Sequence, residues 1–174
     1  IKTWDITSGS CLSTLRGHTD PVLSVCFSPC GEKIASGGGF EYGNKDYSIR
    51  IWDAKTGEQI GSPLSCDSLV LSIDWHENRI VAGCHDGTIK VFDAQSGDRL
   101  STMKVDSQVL SVAYSPDGTK LTAGLGYPSN SVVVFNTQNN EQICSLNVGY
   151  VLKSHLFTHH TFSQMTLNKT PYRP

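Results

Sequence analysis

The chain has 174 residues, 38% hydrophobic and 17% charged, with 16 Gly, 7 Pro and a formal net charge of −2. That length and apolar fraction suit one domain with a packed core, while 14 Lys and Arg against 16 Asp and Glu argue against general nucleic-acid binding. The longest uncharged stretch, Leu121 to Asn140, is broken by Gly, Pro, Ser, Asn and Thr, so no transmembrane helix and no membrane partner are expected.

In chain order, Ile1–Asp5 (I-K-T-W-D) reads as a strand followed by a Ser8-Gly9 turn, and C-L-S-T-L from Cys11 as its partner. After Gly17-His18, V-L-S-V-C-F from Val22 alternates apolar residues and ends on an aromatic. The turn Ser28-Pro29-Cys30-Gly31 leads into K-I-A-S-G, and I-R-I-W-D at Ile49–Asp53 closes the cycle. The series then returns. Q-I-G-S-P-L, V-L-S-I-D-W from Val70, R-I-V-A-G and I-K-V-F-D at Ile89–Asp93 make a second round. R-L-S-T-M, V-L-S-V-A-Y from Val109, K-L-T-A-G, V-V-V-F-N at Val132–Asn136 and Q-I-C-S-L make a third.

The aromatic markers Trp4, Trp52, Phe92 and Phe135 lie 48, 40 and 43 residues apart, and no segment of ten or more residues has helical apolar spacing. Each round is therefore a four-stranded antiparallel meander with two apolar faces. Such a sheet needs neighbours on both sides, and radial stacking supplies them.

Trp52-Asp53, the upstream Gly17-His18, the S-P-x-G turns and the period of about 40 residues together resemble the WD40 repeat family of β-propellers. The resemblance covers residues 1–146 and implies an all-β, partial β-propeller of radially arranged four-stranded blades. Complete blades are expected at about 20–64, 68–103 and 107–146, with 1–15 as the outer strands of a preceding blade. The V-L-S-V class would be innermost. In the first blade, His18, Ser36, Asp46 and Trp52 match the family's structural hydrogen-bond tetrad, which gives the buried indole N–H a partner. The second blade keeps Asp86 but has Ala82 and Phe92 for Ser and Trp, and the third has Ala123, Ser129 and Phe135.

Closing a ring at this period takes more residues than the chain supplies, and Ile1 is preceded by neither an initiator Met nor a signal peptide. The sequence reads as a fragment, cytoplasmic or nuclear rather than secreted. Residues 147–174 leave the repeat, contain no Asp or Glu and carry three of the six His; Gly149–Leu152 could begin a further inner strand, and the rest is expected to be poorly ordered. The six Cys at 11, 26, 30, 66, 84 and 144 form no C-x-x-C pair and read as small buried hydrophobes rather than a disulfide framework.

Few residues of this chain fall into a pattern that carries reaction chemistry. Gly38–Lys45 approaches a phosphate-binding loop but has Asn44 where Lys is needed, and it precedes a strand rather than a helix. His155, His159 and His160 lack acidic or Cys companions for a metal site, and Asn168-Lys169-Thr170 matches a glycosylation acceptor without a secretory signal. No enzyme, cofactor or metal is expected. Function then falls to the surface, as a scaffold binding a protein or peptide, within a multiprotein complex or alone. The candidate contacts are Phe40, Glu41, Tyr42 and Lys45 on an extended loop, Tyr127 on another, and Ser68 and Gln108 on inner connections. Two other readings stay open: the recognition part of a larger enzyme or nucleotide-driven signalling sensor, and a nonfunctional truncated product.

Overall fold

A computed structural model describes residues 1–148 and shows strands and turns, with no helix among the described residues. β1 (Lys2–Trp4) and β2 (Cys11–Thr14) pair as a two-stranded antiparallel sheet. The first complete blade is β3 (Val22–Phe27), β4 (Lys33–Gly38), β5 (Ser48–Asp53) and β6 (Gln59–Ser65). The second is β7 (Val70–His76), β8 (Arg79–Cys84), β9 (Thr88–Asp93) and β10 (Arg99–Lys104). The third is β11 (Val109–Tyr114), β12 (Lys120–Leu125), β13 (Ser131–Asn136) and β14 (Gln142–Asn147). Within each blade every strand pairs with its chain neighbours. β3 lies beside β7 and β7 beside β11, so the V-L-S class forms the inner edge along which the blades meet.

Alternation explains the packing. On β7, Ile73 and Trp75 face the first blade and pack with Ala35, Ile49 and Ile51, while Val81, Ile89 and Val91 face the third and pack with Val112, Leu121 and Phe135. Each such side chain contributes roughly 1.5–3 kcal/mol through burial, which is why a middle blade is apolar on both sides. The small residues ending β4 and β8 let the next blade close in. A Cβ on Gly37 would stand 2.6 Å from Val70 Cγ1, and one on Gly83 would stand 2.5 Å from Val109 Cγ1.

The Asp of each marker caps the turn after it. Asp53 Oδ1 accepts the N–H groups of Lys55 and Thr56 at 2.9 and 2.7 Å, and Asp93 Oδ1 those of Gln95 and Ser96 at 2.9 and 2.8 Å. Asn136 keeps one such bond, from the Gln138 N–H at 2.8 Å. The aromatic of the marker behaves differently from copy to copy. Trp52 is 1% exposed, whereas Trp4 is 54% exposed, because no strand among the described residues covers the inner side of β1.

Cys66 and Cys84 are buried, but Cys11, Cys30 and Cys144 are exposed, which corrects their reading as buried hydrophobes: two sit on outer strands and one on a turn. Gly149–Leu152, the tail histidines, the 168–170 triplet and the expected poor order of the tail all lie outside the described residues.

Candidate functional site

His18 lies on the connection from β2 to β3, Ser36 on β4, Asp46 on the loop before β5 and Trp52 on β5. The fold brings all four together. The Trp52 indole N–H donates to Ser36 Oγ at 2.7 Å, Ser36 Oγ lies 2.8 Å from His18 Nε2, and His18 Nδ1 lies 2.9 Å from Asp46 Oδ2. Since the indole can only donate, Ser36 gives its own proton to Nε2, and the Nδ1–H of a neutral imidazole then faces the carboxylate. Asp46 is further fixed by the Thr19 N–H at 2.9 Å and the Ser48 hydroxyl at 2.5 Å. Burial pushes the Asp46 carboxyl up, yet the bonds from Ser48, Thr19 and His18 outweigh it and hold the group below its ordinary value. Burial also pushes His18 down, against the pull of Asp46.

Ser, His and Asp at these separations have the order of a nucleophile relay. Access decides otherwise. Ser36 is 0% exposed and its oxygen is committed to the Trp52 indole, so no substrate carbon can approach it. The arrangement is a strut tying the loop before β5 to two strands.

The second blade lacks the tetrad and carries a different buried polar group. With Ala82 and Phe92 in place, no indole N–H needs a partner. Instead Lys90, 2% exposed on β9, sends its Nζ to the Cys66 carbonyl and to Asp67 Oδ2, the latter at 2.8 Å, and Arg99 adds a contact to that carboxylate at 3.1 Å. Asp86 accepts the Thr88 N–H and hydroxyl at 3.0 and 2.6 Å. In the third blade Ser129 bonds Asp106 Oδ1 at 2.8 Å. Sequence reasoning missed Lys90, because a lysine on an alternating strand reads as a solvent-facing residue.

The loops expected to carry contacts all emerge on one rim. Tyr42 is 85% exposed, Tyr127 80% and Phe40 49%; Glu41 and Lys45 are exposed as well. Phe40 and Tyr42 meet edge to face with centroids 6.0 Å apart, away from the core. Their loop is nonetheless anchored, since Asp20 accepts the N–H groups of Asn44 and Asp46 at 3.0 and 2.9 Å. Tyr127 and Pro128 line a groove between the second and third blades together with His85, Asp86 and Gln108. This groove lies over the short Cys84–Gly87 loop beside Tyr127, whereas Tyr42 is not among its lining residues and stands on the first blade. Ser68 is corrected: at 9% exposure it is buried where the first and second blades join and is not presented on the rim.

Comparison with known sequences decides the family. The family model for the WD domain, G-beta repeat, matches residues 9–53 and 58–93. The chain is a WD40 repeat protein. Autophagy-related protein 16 of Arabidopsis thaliana is 33% identical over 146 residues, covering 81% of this WD40 chain and 26% of that protein. Protein tipD of Dictyostelium discoideum is 35% identical over 98 residues, covering 56% of this chain and 15% of that protein. The chain therefore spans about a quarter or less of either relative. Among solved structures, a chain of the Mitotic Checkpoint Complex superposes with a TM-score of 0.73 at 22% identity over 84% of this chain and 45% of its own, which shows the propeller fold alone.

Proposed function

We propose that this WD40 chain is a non-catalytic interaction scaffold that receives a protein or peptide on the rim carrying Tyr42 and Tyr127. The supporting observation is the exposure of these two tyrosines, 85% and 80%, on loops held by buried or carboxylate-capped backbone. Large amphipathic rings left open to water on a firm base are the composition of binding hot spots. The groove beside Tyr127 offers room for an extended segment, with His85, Asp86 and Gln108 as polar contacts. Over residues 1–146 acidic residues outnumber basic ones by 16 to 11, so a partner with some positive charge is favoured and binding weakens modestly with salt. Membership of a repeat family whose fold presents loops on a common rim supports the same reading.

The test is photo-crosslinking with p-benzoylphenylalanine placed at 42, at 127 and, as a control on the opposite rim, at 55. Partner crosslinks from 42 and 127 and none from 55 are expected, and Tyr42→Ala with Tyr127→Ala should weaken capture of the same partner without moving the melting temperature. Crosslinks from 55 alone would place the surface elsewhere.

A further inference from the structure

We infer that a groove between the second and third blades, on the rim opposite Tyr42 and Tyr127, is a separate binding site for a peptide that inserts one large apolar side chain and sets a carboxylate against Arg79. The groove encloses about 220 Å³. A dry apolar cavity of about 150 Å³ is enough to hold a benzene ring, so one phenyl or branched aliphatic group fits. Its base is Val91, Met103, Leu121 and Phe135, each less than 9% exposed, and Leu100 stands 52% exposed at its mouth. Tyr114 of β11 borders the groove at the place where β7 carries the larger indole of Trp75.

Charge selects the ligand. Arg79, at the start of β8, lines the groove with no carboxylate within 4 Å of its guanidinium among the described residues, and donates to the Thr137 carbonyl at 3.4 Å. The acids nearby are engaged elsewhere. Asp74 accepts the Tyr114 N–H at 2.7 Å, and Asp93 takes the turn after β9 together with Asn78 Nδ2 at 2.7 Å. On the far wall Asn136 stands where the earlier copies have Asp5, Asp53 and Asp93, and Gln138 and Asn140 continue a neutral amide edge. Asp93 stands opposite Arg79 in the sheet register but makes no ion pair with it, and an apolar pit beside such a guanidinium is complementary to an apolar side chain with a carboxylate near it, because the guanidinium forms charge-assisted bonds with both carboxylate oxygens.

Three fluorescein-labelled peptides, with Phe and Glu separated by zero, one or two alanines, probe this site by fluorescence polarisation on the whole chain. At least one should bind, with a tenfold or greater loss on changing its Phe to Ala or its Glu to Gln. Arg79→Gln should weaken the same peptide by about tenfold, while the Tyr42→Ala, Tyr127→Ala double variant should bind it unchanged. A diazirine analogue of the Phe should crosslink to residues 99–104 or 135–140, a readout that does not depend on any variant folding. Failure of all three peptides, unchanged affinity in Arg79→Gln, loss in the tyrosine variant or crosslinks elsewhere would overturn the assignment. Only the last two would leave the opposite rim as the occupied surface, so this outcome is separable from failure of the scaffold reading.

Discussion

Ser24 Oγ accepts the backbone N–H of Ile73 at 3.0 Å, so the inner strand of one blade is hydrogen-bonded to the inner strand of the next. Ser72 repeats the bond one blade on, to Val112 N–H at 3.1 Å. A third strand ladder is impossible at this edge, because the sheets meet face to face, and the serine hydroxyl serves an N–H that its own blade leaves unpaired. The V-L-S signature therefore encodes a joint between blades as well as a strand.

Ser24→Ala and Ser72→Ala should each destabilise the chain by about 1–2 kcal/mol, the penalty for an unpaired backbone donor in a partly buried setting. Ser111 makes no such bond among the described residues, and Ser111→Ala is expected to fall within about 0.5 kcal/mol of the parent. Urea denaturation of the three variants checks the contrast; equal losses at all three positions would show that the hydroxyls matter for local strand preference and not for the joint.

Trp52→Phe should cost about 1–3 kcal/mol, because it removes a 1% exposed indole and leaves Ser36 and His18 in a buried chain with one end unpaired. The reverse exchange, Phe92→Trp, should also destabilise. Phe92 is 2% exposed, Ala82 supplies no acceptor for an indole N–H, and the extra volume has nowhere to go. A melting curve unchanged by Trp52→Phe would mean that the tetrad carries no load.

The tetrad also gives stability a pH dependence of defined sign. Burial lowers the His18 pKa from an unfolded value of 6.5, so the unfolded chain binds the proton more readily than the folded one. Stability is therefore complete above the unfolded value and falls as pH drops through the folded value. The chemical reason is visible in the bonding: a proton on Nε2 would displace the hydroxyl hydrogen that Ser36 now directs there. Asp46, also lowered from its ordinary 3.8, adds a second loss at more acid pH. Melting temperature should decline from about pH 7.5 to about pH 5, and His18→Gln should flatten that decline. An equally steep decline in the variant would assign the dependence to other groups.

How far the sequence reveals this structure depends on whether a feature is repeated. Strand positions recur with a period of about 40 residues, so registered copies such as Val22, Val70 and Val109 identify one another, and the spacing of His18, Ser36, Asp46 and Trp52 follows from the family resemblance. Features built from a single exchange do not announce themselves. Trp4 carries the same marker as Trp52 yet stays exposed, because its burial depends on strands that its own segment does not supply. Ser68 reads as a loop residue and is buried, since exposure of a short connection is set by how the next blade packs over it. Arg79 and Asn136 are unremarkable alone, and line a common groove only when the second and third blades are stacked.

Lys90 is the clearest such case, and it yields an asymmetric prediction. Its ammonium is 2% exposed and is held by the Cys66 carbonyl and by Asp67, while Asp67 itself is largely exposed and keeps Arg99 at 3.1 Å. Lys90→Met preserves the aliphatic bulk and leaves only the Cys66 carbonyl without its donor, since Asp67 can turn to water and to Arg99; the loss should be roughly 1–3 kcal/mol. Asp67→Asn leaves the ammonium charged and buried against a neutral carbonyl, and removing one partner from a buried charge is the more damaging direction. Asp67→Asn should therefore destabilise more than Lys90→Met, although Asp67 is the exposed residue of the pair. Adding Lys90→Met to Asp67→Asn should recover part of the loss, because the stranded charge is gone. Guanidinium denaturation of the two single variants and the double variant measures this; a double variant whose loss equals the sum of the singles would show that the two groups do not interact.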